Sequence, residues 1–234
     1  MKHRAISRGL RIDMNLRRAL KRACHFDQTH GWSCGISAAQ SVLRFLGNPP
    51  PTSSELIERL RSFGLSDTLN EGLSTPHLAF LLRELSRAPL QVLLHPNSLK
   101  DLGGQFSRCP LSLNQPIKPL LGINPFWSKG MNRALSLLLA DGVRIRVGRF
   151  GLKDITANKP AIVSVACAEY YGLKLPLYDE THFLALLPVN NNEWIVCDSY
   201  ELRGYEEVKG WRQHLDFSGH YDWSRWRGDA ILIM

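Results

Sequence analysis

Residues 27–35, with the sequence DQTHGWSCG, constrain this chain most, because they lead from a polar loop directly into an apolar run. The apolar side chains that follow recur at helical spacing and predict a helix over residues 34–46, ended by Gly47. Cys34 therefore stands at the start of a helix, where unpaired N–H groups and the positive end of the helix dipole stabilise a thiolate. This position is typical of a nucleophilic cysteine.

A nucleophile of this kind needs a base and an orienting carboxylate or amide, and both can come from distant parts of a sequence. His182 begins an apolar segment that predicts a strand over His182–Val189, and Asp198 ends the next predicted strand, Glu193–Asp198. If the two strands pair across the asparagines between them, the start of the first lies beside the end of the second. We therefore expect His182 and Asp198 at one sheet edge, with the carboxylate holding the imidazole in one tautomer.

The order of the predicted elements is helices first and then mostly consecutive strands. A capping box at Thr52–Glu55 and a proline at position 76 start two further helices, and a fourth is expected over 131–140. Further strands are predicted over residues 90–95, 143–150, 161–166 and 230–234. This order predicts an α+β domain in which a central N-terminal helix packs on an antiparallel sheet.

The chain is expected to form one domain, residues 23–234, preceded by a basic N-terminal arm, residues 1–22. The net charge of the chain is +8. The arm holds eight of the 29 basic residues and one acidic residue, so residues 23–234 have a net charge of +1. Nucleic-acid binding is therefore not expected except through the arm. Residues 96–128 are rich in proline and have no periodicity, so they predict an insertion that is functional or mobile.

Cysteine usage and hydropathy exclude several other classes of protein. The five cysteines are an odd number without a Cys-x-x-Cys pair, which favours neither a disulfide framework nor a zinc site, and we expect no metal and no cofactor. A reducing, cytoplasmic setting is expected. No apolar run approaches the roughly 18 residues of a membrane span, so none is predicted.

Several of these motifs, taken together, resemble one family. Gln28 lies six residues before the Cys34-Gly35 pair, an Ala-rich helix ends in Leu-Gly, and Asp198 lies 16 residues after His182. Residues 159–163 (KPAIV) and the closing WxxWxG of residues 223–228 extend the pattern. In these features the chain resembles the papain-like cysteine peptidases that process double-glycine leaders of bacteriocins, and more closely their stand-alone relatives. The resemblance covers roughly residues 26–60 and 140–234.

The resemblance implies a papain-like fold and a thiol peptidase that acts on a peptide or protein substrate. It implies that Cys34 is the nucleophile, His182 the base and Asp198 its orienter, and that the Gln28 side chain donates to the oxyanion. Ser33 stands where the family usually has Asp.

Two other functions stay open at this point. An acyltransferase or amidase could use the same Cys-His-Asp site, because only the second nucleophile differs. A non-catalytic binding module could use the basic arm to contact nucleic acid or an acidic partner.

Overall fold

A computed structural model describes residues 23–24, 26, 33–65, 73–96, 125–155, 159–170, 181–190, 193–199 and 222–234. The helices are α1 (Cys34–Phe45), α2 (Ser53–Ser62), α3 (Thr75–Ser86), α4 (Pro125–Ala140) and the short α5 (Cys167–Tyr170). The strands are β1 (Leu90–Leu94), β2 (Arg144–Val147), β3 (Ala161–Ala166), β4 (Thr181–Asn190), β5 (Glu193–Cys197) and β6 (Ala230–Ile233).

Local signals in the sequence account for the helix ends. Thr52 and Glu55 form the predicted capping box, in which the Glu55 N–H donates to Thr52 Oγ1 over 3.2 Å and the Thr52 N–H donates back to the carboxylate over 2.6 Å. Gly47 and Gly64 follow α1 and α2 with φ of +79° and +66°, which only glycine adopts without strain. The predicted bounds of α1 and the predicted starts of α2 and α3 are confirmed to within about two residues.

The six strands form one mixed sheet in the order β2-β1-β6-β3-β4-β5. Four neighbouring pairs are antiparallel, but β1 and β2 run parallel, with Gln91 opposite Arg144 and Leu94 opposite Val147. The prediction of an antiparallel sheet is therefore wrong for this pair. The physical reason is the connection: α4 lies between β1 and β2 and carries the chain back along the sheet, as a parallel pair requires.

Helices α1 to α4 lie on one face of this sheet. Helix α1 packs on β3 and β4, α3 packs on β1 and β6, and α2 and α4 pack against α3. The opposite face carries a second apolar cluster in which Trp226 is fully buried beneath β3 and β6. The structure thus shows a mixed α and β architecture with a helical layer on a six-stranded sheet.

The start of one predicted helix is corrected. Helix α4 begins at Pro125 and not at Met131, so the last residues of the predicted irregular segment 96–128 are helical, because proline fits the first turn of a helix. Residues 97–124 of that segment and the arm, residues 1–22, lie outside the described residues. Within the part of the chain that the structure describes, no helix has the length and apolarity of a membrane span.

Candidate active site

Cys34 is the first residue of α1, as the sequence predicts. Ser33 precedes it, and the Ser33 carbonyl accepts from the Ser37 N–H over 3.1 Å, which closes the first helical turn. The N–H groups of this turn have no acceptor within the helix and point toward its start. Cys34 is 8% exposed, so its thiol lies in a largely dehydrated position at the positive end of the helix.

Strands β4 and β5 bring His182 and Asp198 together. The two strands pair antiparallel with Ala185 opposite Cys197, so the start of β4 lies beside the end of β5. His182 Nε2 and Asp198 Oδ1 are 2.8 Å apart, and both side chains are mostly buried. The expectation that these two residues meet at one sheet edge is confirmed.

The Cys34 thiol interacts with the same imidazole. His182 forms one hydrogen bond with Asp198 and another with Cys34. Because Asp198 Oδ1 binds Nε2, we expect the thiol to pair with Nδ1. The order is thiol, imidazole, carboxylate, which is the arrangement that general-base activation of a cysteine requires.

The surroundings of Cys34 favour its thiolate. Burial by itself raises the pKa of the thiol, because a dehydrated charge is costly. The hydrogen bond and positive charge of His182, together with the backbone N–H groups of Phe183 and Gly35, outweigh the effect of burial, and the pKa of Cys34 is lowered. The Gly35 amide belongs to the helix start, so the predicted role of the helix in stabilising the thiolate has a specific donor.

The surroundings of His182 favour its protonated form. Burial opposes protonation, but hydrogen bonds to Asp198 and Cys34, with the negative charges of both partners, raise the pKa of His182 to about 9. A lowered pKa on the thiol and a raised pKa on the imidazole both favour transfer of the thiol proton to the imidazole. The arrangement therefore favours a charged sulfur nucleophile with a proton donor beside it.

Gly35 allows the start of α1 to approach α3 closely. A Cβ atom at residue 35 would lie 2.8 Å from Leu78 Cδ1, below any normal contact distance, and Leu78 is fully buried. A larger residue at position 35 would force either the Leu78 side chain or the helix that carries Cys34 to shift. The glycine after the cysteine thus has a packing role in addition to presenting its N–H group.

A second polar group that sequence reasoning missed ties this edge of the sheet together. Asp229, just before β6, accepts from the Thr75 hydroxyl over 2.7 Å and from the His95 N–H over 2.6 Å. Its own N–H donates to Ser164 Oγ over 2.8 Å, and Ser164 lies opposite Phe183 in the β3–β4 pair. Asp229 therefore joins the start of α3 and the end of β1, through its carboxylate, to the strand beside β4, through its backbone N–H. The sequence signal that could have identified Asp229 is its position as an acidic residue directly before a buried strand.

Gln28, the predicted oxyanion donor, lies outside the described residues, and its role stays a prediction. Cys24 is buried, and burial raises the pKa of its thiol while Arg44 lowers it, so the environment of Cys24 is the reverse of that of Cys34. None of the four cysteines that the structure describes is in a disulfide bond. Among the same described residues, no three His, Cys, Asp or Glu side chains are grouped so as to hold a metal ion.

Comparison with known proteins does not place the chain in a family. A scan of the sequence against protein-family models found no match. A search of the curated proteins found no similar sequence.

Proposed function

We propose that the protein is a cysteine peptidase with a papain-like arrangement, in which Cys34 is the nucleophile, His182 the general acid and base, and Asp198 the residue that orients the imidazole. The observation that supports the proposal most directly is the hydrogen-bonded series from Cys34 through His182 to Asp198 at the start of a helix. Strongly perturbed pKa values on adjacent buried groups are common at functional sites.

The proposed reaction begins with the thiolate of Cys34 attacking the carbonyl carbon of a peptide bond. The carbonyl π electrons move to the oxygen, and the backbone N–H of Cys34, with the Gln28 side chain implied by the family resemblance, would stabilise that oxyanion. When the intermediate collapses, the C–N bond breaks and His182 gives its Nδ1 proton to the leaving amine. The acyl group stays on Sγ as a thioester.

Water completes the proposed cycle. Neutral His182 takes a proton from the water as it attacks the thioester, the C–S bond breaks, and the acid product leaves the thiolate behind. Asp198 keeps its hydrogen bond to Nε2 throughout, which orients Nδ1 toward the sulfur and stabilises the imidazolium. We propose a peptide or protein substrate and a reducing, cytoplasmic setting, where a reactive thiolate stays unoxidised.

Thiol labelling tests the central element of this proposal without a known substrate. An activated cysteine has a pKa of about 3.5–7.5 and an ordinary one about 8.5, so iodoacetamide at pH 6 should alkylate Cys34 fastest. Cys167 is the accessibility control because it is the most exposed cysteine among the described residues, whereas Cys24, which lies next to the arm in sequence, is buried. The preference for Cys34 should fall in His182→Ala, because the imidazolium is lost. Faster labelling of Cys167, or no effect of His182→Ala, would contradict the proposal.

Product analysis separates hydrolysis from transfer. With a peptide substrate found by library screening, reaction in ¹⁸O water should place one heavy oxygen in the new carboxylate. Capture of the acyl group by an added amine in preference to water would favour the acyltransferase alternative. Cys34→Ala should abolish both products.

A further inference from the structure

Strand β2 is the outermost strand of the sheet, and the described residues leave its outer side open. The Gly148 N–H donates to the Leu94 carbonyl over 3.0 Å, so Gly148 and, by alternation, Arg146 and Arg144 direct their backbone groups toward β1. The backbone N–H and C=O groups of Ile145 and Val147 therefore point away from the sheet. Within the described part of the chain, no residue hydrogen-bonds to those outward groups. Such an edge can accept another extended strand.

Arginines follow this edge. Arg144, Arg146 and Arg149, which we call the arginine row, are all exposed. Arg144 and Arg146 are two residues apart on one strand, so both leave the same face of the sheet about 7 Å apart. Arg146 Cζ lies 5.3 Å from the centre of the Phe150 ring, which holds this guanidinium over the face opposite the helices.

Three arginines of the helical layer are held in ion pairs. Arg59 pairs with Glu84 over 3.0 Å, and Arg61 and Arg83 pair with Glu58 and Asp141. No carboxylate of the described residues pairs with any member of the arginine row. The positive charge beside the open edge is thus not neutralised by the part of the chain that the structure describes.

We propose that the outer edge of β2 binds an extended, acidic peptide segment of a partner protein by adding it to the sheet as a further strand. Backbone groups of the segment would pair with those of Ile145 and Val147, which gives affinity without sequence preference. Acidic side chains at alternate positions of the segment lie about 7 Å apart, which matches the spacing of Arg144 and Arg146. Opposite charges at such cross-strand positions select an acidic strand over other sequences.

The same surface is less suited to nucleic acid. Single strands bind on exposed aromatic side chains between basic residues. Phe150, the aromatic residue that Arg146 covers, is 4% exposed, and the one large apolar side chain found exposed among the described residues is that of Met234. Phosphates could contact the arginines, but they would leave the outward N–H and C=O groups of the edge unused.

Direct binding to the full chain carrying Cys34→Ala tests this proposal independently of catalysis. The probe is a fluorescein-labelled peptide in which glutamate alternates with threonine, measured by fluorescence anisotropy. Two matched peptides complete the set, one with glutamine in place of every glutamate and one with N-methyl groups on alternate amides. We expect binding of the first peptide and at least a tenfold weaker interaction with each of the others, because the second lacks charge and the third cannot pair with the edge.

Protein variants locate the site. The double change Arg144→Gln and Arg146→Gln should weaken binding about fivefold or more, since each exposed ion pair contributes modestly. Arg59→Gln with Arg61→Gln removes the same charge from the helical layer and should leave the affinity unchanged. Val147→Pro removes an outward N–H while keeping the β1–β2 hydrogen bonds, so it should abolish binding where Val147→Ala does not. Circular dichroism checks that the variants are folded.

Three outcomes would overturn the proposal. If no acidic peptide binds, the arginine row serves only to prevent edge-to-edge association. If the N-methylated peptide binds as well as the unmodified one, the surface attracts charge without strand addition. If single-stranded DNA binds more tightly and depends on the same arginines, the ligand is a polyanion and not a peptide strand.

Discussion

His77 provides the most quantitative prediction, because the fold buries a titratable ring with half of its hydrogen bonding unmet. The side chain is 0% exposed, on the buried face of α3. Nδ1 is 2.7 Å from the Ser74 hydroxyl, whereas Nε2 has no hydrogen-bond partner among the described residues. Burial lowers the pKa of His77 from 6.5 to about 4, because a protonated ring would be a dehydrated and unpaired charge.

The sign of the effect on stability follows from proton counting. Between pH 6.5 and about 4, the unfolded chain binds a proton at His77 and the folded chain does not. The free energy of unfolding is therefore undiminished above pH 6.5 and decreases as the pH falls toward 4. At about 1.4 kcal/mol for each pKa unit, the full loss is about 3 kcal/mol, of which about 2 kcal/mol occurs between pH 7 and pH 5. For a domain of this size, 2 kcal/mol lowers the melting temperature by about 4–8 °C.

The assay is urea denaturation at pH 7 and pH 5 for the wild-type protein and for His77→Asn. Asparagine keeps a polar atom near Ser74 but does not titrate, so the variant should lose about 2 kcal/mol less than wild type between the two pH values. Ser74→Ala keeps the imidazole and should show the wild-type pH dependence. The contributions of Cys34, His182 and Asp198 to the pH dependence of stability cancel in the comparison, because all three proteins contain these residues. Identical pH dependence in wild type and His77→Asn would refute the reasoning.

Three further predictions concern the site and its support. Asp198→Asn should lower the pKa of His182 from about 9, as measured by NMR. It should slow turnover less than removal of the imidazole does, because the amide still accepts a hydrogen bond. An unchanged pKa would show that the carboxylate has no electrostatic role. Gly35→Ala should destabilise the fold by about 1–3 kcal/mol. In a double-mutant cycle, Leu78→Ala should relieve part of that cost. Simple additivity of the two free-energy changes would mean that the two side chains do not compete for space. Asp229→Ala should lower the free energy of unfolding by about 3 kcal/mol in chemical denaturation, since two donors lose this buried acceptor. A change below about 0.5 kcal/mol, typical of a surface site, would contradict the network.

The candidate site was predictable to the extent that it depends on neighbouring segments of the chain. His182 and Asp198 are placed by two strands that follow one another, so their meeting follows from strand alternation and one turn. The Phe183 amide, which also stabilises the thiolate, was not predicted. A backbone group carries no sequence signal of its own, and only the position of α1 against β4 selects this one.

The sequence by itself determined the local elements, because caps, glycine turns and apolar periodicity act within a few residues. Thr52 with Glu55, Pro76 and Gly47 set helix ends through hydrogen bonds or backbone angles that do not depend on distant contacts. The sequence also supported the proposal that Cys34 and His182 act together, although 148 residues separate them.

Only the tertiary structure decided which distant segments became neighbours. The insertion of β6 between β1 and β3, the parallel pairing of β1 with β2, and the burial of His77 all depend on how helices and strands share one core. Asp229 gains its partners from α3 and β1 in the same way. Such choices are made by packing and chain closure over the whole domain, which a short window of sequence does not encode.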